Sequence, residues 1–280
     1  IHLHRKAVVL IAIADGHVIG WHVARNETCA AWSSLLSRIA PPLAVVCDGG
    51  GGVLKALRTV WPSTRVQRCL FHVGMNITEL TGLRPRLEAG KSLRKAAVAL
   101  SRVSDADSAA EWLASYNQWE QDHKEFLDQK SRWEDGTVAD QHRRLAKARR
   151  MIRRRIREGH LFTFVEPPEG CMTPIPPTNN LIESWNARIR DMLRRHRGLS
   201  LVRQIKAVCW WCHQHTGHPE PDAWLAANAV TDEQIEALYR EAWERSPLGA
   251  WQTTGIPMRY GTGIDWDEFH TPTEYHGTPD

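Results

Sequence analysis

The sequence lacks an apolar run long enough to cross a membrane. Its longest uninterrupted apolar stretch, Ala7–Ala14, has only eight residues, whereas a membrane-spanning helix needs about 20. No charged-then-apolar leader precedes the first predicted strand, and the chain starts with Ile1 rather than Met. We therefore expect a protein with no membrane contact, located in the cytoplasm and cut from a longer reading frame.

Cysteine is too sparse and too scattered for a disulfide framework, with six residues in 280. Cys209 and Cys212, followed by His213 and His215, have the spacing of a zinc or redox site. A zinc site needs four ligands, however, and no second ligand pair with standard spacing is present. Cys212 also shares one helical stripe with apolar residues such as Ile205. The pattern therefore favours buried core cysteines over a metal site.

Acidic residues are absent from segment 143–157 (RRLAKARRMIRRRIR), in which nine of the fifteen residues are Lys or Arg. A helix whose charged face is only solvated usually intersperses Glu or Asp, so the run favours contact with phosphates over a solvated face. The whole chain carries a net charge of +4, but segment 217–280 carries −9 and the first 216 residues about +13. This distribution fits a polyanionic partner or ordinary solubility equally well.

Apolar runs typical of strands, alternating with helical patterns, predict an α/β layer in the first 75 residues. Asp15-Gly16 between two apolar runs predicts a β-hairpin. The predicted strands are 5–14, 17–25, 43–47 and 64–71, and the predicted helices are 27–39 and 53–60.

From residue 76 the periodicity becomes helical, with predicted helices over 105–133 and 138–157. Trp112, Tyr116 and Trp119 recur at helical spacing in the first of these. Such aromatics could stack on nucleic-acid bases, but this spacing is more typical of a buried core.

Two acids stand out as candidate metal ligands. Asp48 ends a short apolar strand, where α/β sheets place their ligand crevices, and the glycines at 49–52 allow the backbone to approach a ligand closely. These glycines lack the spacing of a P-loop. Glu183 shares a helical stripe with Asn186, Arg190 and Arg194 on a predicted helix over 181–196. The alternatives are a turn aspartate and a solvated helix face.

Three segments together resemble the mutator-type DDE transposases of bacterial insertion sequences. They are CDGGGGVLKAL, WPSTRVQRCLFHVGMN and TNNLIESWNARIRDMLRRHRGL, within a similarity that spans about residues 5–216. The resemblance implies a ribonuclease H-like mixed sheet with an all-α insertion. It implies that Asp48 is the second catalytic Asp and Glu183 the catalytic Glu. Cys69, His72, Asn76 and Asn186 match the family signature.

The resemblance also implies the domain plan. We expect a first part of the ribonuclease H-like core over 1–75, the helical insertion over 76–177 and the rest of the core, with the Glu183 helix, over 178–216. An acidic C-terminal extension would occupy 217–280. The first catalytic Asp belongs to a strand before Ile1, so we expect that strand and that ligand to be missing from this chain.

The function implied is a DNA transposase that cleaves and joins phosphodiesters with two Mg²⁺ or Mn²⁺ ions. Its partners would be transposon ends and target DNA, bound by a homodimer or higher oligomer at the bacterial nucleoid. We expect Asp48 and Glu183 to lie within roughly 4–8 Å of each other and this chain alone to be inactive. The alternatives are a catalytically dead DNA-binding protein and another ribonuclease H-like nuclease. The expected phosphate ligands are Arg149, Arg150, Arg153, Arg154, Arg188, Arg190 and Arg194.

Overall fold

A computed structural model describes residues 1–4, 6–132, 136–228 and 231–244. The chain divides into two compact units. The first contains residues 1–39 and the described residues from Leu181 onward, and the second contains residues 40–180. Residues 40–75 thus fall in the same unit as the helical segment, and the domain plan expected from the sequence stays a prediction.

The first unit is built on an antiparallel sheet in the order β1-β2-β3. Asp15 and Gly16 connect β2 to β3 with φ angles of +51° and +76°, which is the left-handed backbone that a two-residue hairpin requires. The predicted hairpin is confirmed. Helix α1 follows, and the Thr28 side chain caps it by accepting a hydrogen bond from the Ala31 N–H. The elements are β1 (His2–Leu3), β2 (Ala7–Ala14), β3 (His17–Ala24) and α1 (Cys29–Leu36).

Two helices later in the chain, α8 (Asn180–Arg195) and α9 (Leu201–Gln214), complete the core of the first unit. Trp185 and Ile189 of α8 and Val208 and Cys212 of α9 belong to one apolar cluster with residues of β1, β2 and β3. Burial raises the pKa of the Cys212 thiol to about 12. The prediction of core cysteines is thus confirmed for Cys212. Two further helices follow, α10 (Asp222–Asn228) and α11 (Asp232–Glu244).

The second unit begins with a strand–helix–strand segment. Strand β4 (Ala44–Cys47) pairs in parallel with β5 (Arg65–Arg68), and α2 (Gly51–Val60) connects them. Helix α3 (Leu70–Thr81) starts directly after β5. This arrangement brings the carboxyl ends of both strands to the same edge.

A helical segment completes the second unit, and the predicted aromatic stripe lies in its core. Trp112, Tyr116 and Trp119 are each no more than 5% exposed. The two indole N–H groups donate to the carbonyls of Ala96 and Ala89, so the core interpretation is confirmed. The helices are α4 (Glu88–Leu100), α5 (Ala106–Asp122), α6 (Lys124–Asp128) and α7 (Arg143–Arg157).

The helical segment differs from the sequence expectation in two places. The predicted helix 105–133 breaks at His123, whose φ of −110° ends α5, and the turn lets Leu127 become fully buried. The all-α insertion is wrong in one detail, because a short hairpin pairs β6 (Lys130–Arg132) with β7 (Val138–Asp140). The predicted helix 138–157 therefore starts only at Arg143.

The α/β class is confirmed, but the described strands form three small sheets, a three-stranded one and two pairs. The single ribonuclease H-like mixed sheet stays a prediction. None of the described helices is both long and apolar enough to cross a lipid bilayer. Residues 245–280, the larger part of the expected acidic extension, lie outside the described residues.

Candidate active site and nucleic-acid interface

Asp48 lies at the carboxyl end of β4, as predicted, and its side chain is exposed. Its Oδ1 accepts a hydrogen bond from the backbone N–H of Gly50 at 3.0 Å. For Oδ2 no partner is seen within the described part of the chain. Carboxylate oxygens are the ligands that Mg²⁺ prefers, so Asp48 has one oxygen available for such an ion.

Arg68 lies directly against the loop that carries Asp48. Its Nη2 donates to the backbone carbonyl of Asp48 at 2.6 Å. Gly49 has a φ of +80°, and a Cβ built there would lie 1.7 Å from Arg68 Cζ. Any side chain at position 49 would therefore displace the guanidinium. Arg68 is 5% exposed, and its burial lowers its pKa, while the charges of Cys47 and Asp48 oppose that shift.

Of the family signature, Cys69 is buried and continues the pairing of the two parallel strands. Its backbone N–H donates to the carbonyl of Cys47 at 2.9 Å. His72 lies one turn further along α3 and is half-buried, as is Asn76. No group of three or more His, Cys, Asp or Glu residues with metal-site geometry occurs among the described residues. Cys69 thus orders the strand end next to Asp48, and nothing observed gives His72 or Asn76 a chemical role.

Glu183 lies in the first turn of α8, in the other compact unit, and is half-buried. No hydrogen bond to its carboxylate is seen in the described part of the chain, so this group too is available to a ligand. Asn186, one turn later, is half-buried. The proximity of Asp48 and Glu183 stays a prediction, since the two acids belong to different compact units.

Two open recesses flank α8. One, of about 570 Å³, is lined by Arg190, Arg194 and Arg197, together with His2 and His4. The other, of about 600 Å³, is lined on its polar side by Arg188, Asp191 and Arg195. Arg190 and Arg194 follow Glu183 on the same stripe of the helix, as the sequence predicted. The first recess therefore continues the Glu183 stripe toward the carboxyl end of the helix.

The arginines of α8 differ in whether they already have an acidic partner. Arg194 and Arg195 share the carboxylate of Asp191, at 3.2 and 2.7 Å. Arg188 and Arg190 are exposed, and neither forms an ion pair within the described residues. These two side chains could bind a phosphate without giving up a protein partner.

The four arginines predicted to bind DNA on α7 are all engaged by acids. The acids come mostly from other elements of the same unit, so the helix sequence does not reveal them. The pairs are Arg149 with Asp128 at 2.7 Å, Arg150 with Asp140 at 2.7 Å, Arg153 with Glu120 at 2.6 Å and Arg154 with Glu158 at 3.0 Å. DNA contact by these four arginines stays a prediction, and each phosphate that they bind would have to compete with an existing ion pair.

Two buried arginines were not predicted from the sequence as individual functional candidates. Arg68 lies inside the quoted signature, and Arg155 was counted only as part of the basic run. Arg155 is 6% exposed, and burial, reinforced by the charges of Arg68 and Arg154, lowers its pKa to about 10. Its spacing from Ile152, which is also buried, could have revealed it, because the two share the core-facing stripe of α7.

The chain is similar to known transposases along most of its length. The family model for the Mutator family of transposases matches residues 4–209. A transposase for insertion sequence element IS905 from Lactococcus lactis subsp. lactis is 31% identical over 108 residues, covering 35% of this chain and 28% of that protein. A transposase for insertion sequence element ISRM3 from Rhizobium meliloti is 24% identical over 197 residues, covering 67% and 42%.

A transposase for insertion sequence element IS6120 from Mycolicibacterium smegmatis is 34% identical over 73 residues, covering 24% of this chain and 20% of the relative. The chain thus spans less than half the length of each of these curated relatives. No solved structure matches the chain. With the family model covering most of its length, the chain belongs to the Mutator family of transposases.

Proposed function

We propose that the protein acts in the transposition of an insertion sequence, by metal-dependent cleavage of DNA phosphodiesters followed by strand transfer. The match of the Mutator family model to residues 4–209 carries this proposal. The position of Asp48 at the carboxyl end of a parallel strand supports it, because ligand sites of α/β sheets lie at that edge.

In this proposal Asp48 and Glu183 are metal ligands. Each offers carboxylate oxygen that makes no ion pair within the described residues, which suits Mg²⁺ or Mn²⁺. Asp48 and Glu183 would hold two such ions, which would supply activation of the attacking water or 3′-hydroxyl and stabilisation of the leaving oxygen. Asp48 is held for this role by the Gly50 N–H on its carboxylate and by Arg68 on its carbonyl.

DNA is the proposed partner, and the exposed arginines of α8 are its proposed phosphate ligands. Arg188 and Arg190 are free of ion pairs among the described residues, and Arg190 lines a recess that also holds Arg194 and Arg197. Phosphate contacts of this kind position a duplex without reading its sequence. Location at the nucleoid and assembly as a homodimer or higher oligomer are further parts of this proposal.

The test is strand cleavage of plasmid DNA with Mg²⁺ or Mn²⁺, by this chain and by the same chain extended upstream in its reading frame. Asp48→Asn and Glu183→Gln should each lower the cleavage rate by more than about 100-fold, because removing a group that only orients a metal ligand already costs about 10–100-fold. Glu111→Gln, the same kind of change at an exposed acid of α5, is the matched control and should keep the wild-type rate.

A second candidate is a DNA-binding protein that has lost catalysis. The ion-pair-free arginines of α8 would serve it equally well. DNA binding without metal-dependent cleavage by either chain would favour this candidate, whereas cleavage that both acid variants retain would exclude Asp48 and Glu183 as the ligands.

A further inference from the structure

Arg68 is fixed in place by the strand that carries it. Its backbone N–H donates to the carbonyl of His160 at 2.7 Å. The neighbouring Gln67 side chain, fully buried, donates to the carbonyl of Leu161 at 2.8 Å and accepts from the N–H of Phe164 at 3.3 Å. The end of β5 is thus tied to the segment that follows α7, and the Arg68 side chain projects from a rigid base.

Arg68 contacts the Asp48 loop in two ways that only a planar guanidinium can combine. Nη2 reaches the Asp48 carbonyl at 2.6 Å. The flat group also fills the space in which a Cβ of residue 49 would lie, with Cζ 1.7 Å from that position. A lysine could donate one hydrogen bond but could not cover Gly49 with a plane. Backbone and side chain of Asp48 are therefore both restrained, one by Arg68 and the other by the Gly50 N–H.

Nearby acids favour the charged form of Arg68, while its burial and the charge of Arg154 oppose it. Asp48 and Glu158 both raise the pKa of Arg68 against the effect of its burial. Glu158 is held in turn by Arg154 at 3.0 Å and Arg58 at 3.3 Å. Replacing a whole buried ion pair by apolar side chains is often neutral for stability, so stability alone does not require a cation at this position. Arg68 donates a hydrogen bond to the backbone of Asp48, the proposed metal ligand. This contact gives Arg68 a use besides stability.

We propose that Arg68 is a positioning residue for Asp48. By holding the carbonyl of Asp48 and covering Gly49, it fixes the peptide that follows Asp48 and so fixes the direction of the carboxylate before a metal ion binds. Such preorganisation raises metal affinity without a direct contact between Arg68 and the ion. This inference rests on the proposed function, in which Asp48 is a metal ligand.

The packing of Arg68 on Gly49 is tested by thermal unfolding, independently of any activity. Gly49→Ala and Gly82→Ala place a Cβ at nearly the same positive φ, +80° and +84°, but nothing lies within 4 Å of a Cβ at Gly82. Gly82→Ala should lower Tm by about 2–12 °C from backbone strain alone, because a φ of 84° with a ψ of 163° is a conformation that residues other than glycine rarely adopt. Gly49→Ala should lower Tm at least twice as much, and the excess should disappear in an Arg68→Ala background. Equal Tm losses for the two glycine variants would overturn this packing.

The positioning role is tested by titrating the chain with Mn²⁺ and measuring free Mn²⁺ by electron paramagnetic resonance. Arg68→Lys, which keeps the charge but cannot cover Gly49, should weaken Mn²⁺ binding about 10-fold. Affinity for DNA should change less than twofold, since Arg68 is buried. Arg58→Gln, a variant in the same charge cluster that does not touch Asp48, should leave Mn²⁺ binding unchanged. If an Arg68 variant unfolds, Gly49→Ala perturbs the same packing with the arginine retained.

The outcomes separate this inference from the proposed function. If Asp48→Asn weakens Mn²⁺ binding but Arg68→Lys and Gly49→Ala do not, the positioning role is wrong and the proposed function stands. If Asp48→Asn itself leaves Mn²⁺ binding and cleavage unchanged, both are wrong. A loss of DNA affinity as large as the loss of Mn²⁺ affinity in Arg68→Lys would make Arg68 a DNA ligand instead.

Discussion

Helices α7 and α8 are both rich in arginine, yet they differ in whether the arginines predicted to bind phosphates already have an acidic partner. On α7 the arginines at positions 149, 150, 153 and 154 each have an acidic partner within 3.0 Å. On α8, Arg188 and Arg190 are exposed and form no ion pair among the described residues. The four arginines predicted as phosphate ligands on α7 are therefore all neutralised, whereas two of the three predicted on α8 are available to a new anion.

The source of the acids explains the difference. Glu120 on α5 and Asp128 on α6 lie more than 20 positions before the arginines that they neutralise. Asp140 on β7 lies 10 positions before Arg150. Tertiary folding delivers them to α7. On α8, the acid that neutralises Arg194 and Arg195 is Asp191, which lies on the same helix. A run without acids thus predicts a free basic surface only where the neighbouring elements contribute no acid either.

The largest expected effect is on stability. Replacing Arg149 and Arg153 with Ala leaves Glu120, whose side chain is 16% exposed, without its cations. We expect the free energy of unfolding to fall by about 2–4 kcal/mol, because a largely buried carboxylate loses its partners while alanine keeps the helix favourable. The matched change of Arg188 and Arg190 to Ala on α8 should cost no more than about 0.5 kcal/mol at each site. Urea unfolding measures both.

A compensating variant shows whether the stability loss comes from the carboxylate. Adding Glu120→Met to the α7 double variant removes the unpaired charge and should restore most of the lost stability. If the α7 and α8 double variants were equally stable, the ion pairs of α7 would contribute nothing and its arginines would be as available as those of α8.

The second effect is on DNA binding. Binding of a phosphate by a cation releases counterions, so the slope of log affinity against log salt changes by about 0.9 for each phosphate that the protein no longer neutralises. Replacing Arg188 and Arg190 with Gln should make the slope shallower by about 1.8 if both bind phosphates. Replacing Arg150 and Arg154 with Gln should change it by less than about 0.9, because Asp140 and Glu158 already neutralise them.

This salt titration decides between the two helices. A larger change of slope for the α7 pair than for the α8 pair would mean that the α7 arginines leave their acids when DNA binds. The prediction of phosphate contact at 143–157 would then hold, and α8 would be the secondary surface.

The parts of the structure that sequence could predict depend on neighbours along the chain. The hairpin at Asp15-Gly16 needs only its own backbone angles. The burial of Trp112 and Cys212 follows from helical spacing. The position of Asp48 after a short apolar strand is likewise local. Each of these predictions uses information contained within about one turn or one strand.

The features that sequence could not predict depend on residues far apart in the chain. Arg68 touches Asp48 from 20 positions away, and the break of the predicted helix at His123 is favoured by burial of Leu127 in a core shared with α3, α4 and α7. The pairing of β7 with β6 converts residues 138–140 from the predicted helix to a strand. Tertiary contacts override local preference in each case.

The smallest expected effect is a pH dependence at the carboxyl end of α7. Burial lowers the pKa of His160, the charge of Glu158 opposes this shift, and the charges of Arg68, Arg58 and Arg154 reinforce it. Below pH about 6.5 the unfolded chain takes up a proton at this histidine before the folded chain does. The contribution of His160 to stability is therefore complete above that pH and is lost as the pH falls through the window below it.

Two variants with opposite expected signs test this linkage through the urea midpoint at about pH 7.5 and about pH 5.5. In His160→Asn the midpoint should fall less between the two pH values than in the wild type, because the buried titrating group is gone. In Glu158→Gln it should fall more, because removing the carboxylate 3.3 Å from His160 Nδ1 lowers the pKa of the histidine further. A His160→Asn variant whose midpoint falls more than that of the wild type would mean that the ion pair with Glu158, rather than burial, dominates at His160. The carboxyl end of α7 would then resemble the ion-paired arginines before it rather than a desolvated site.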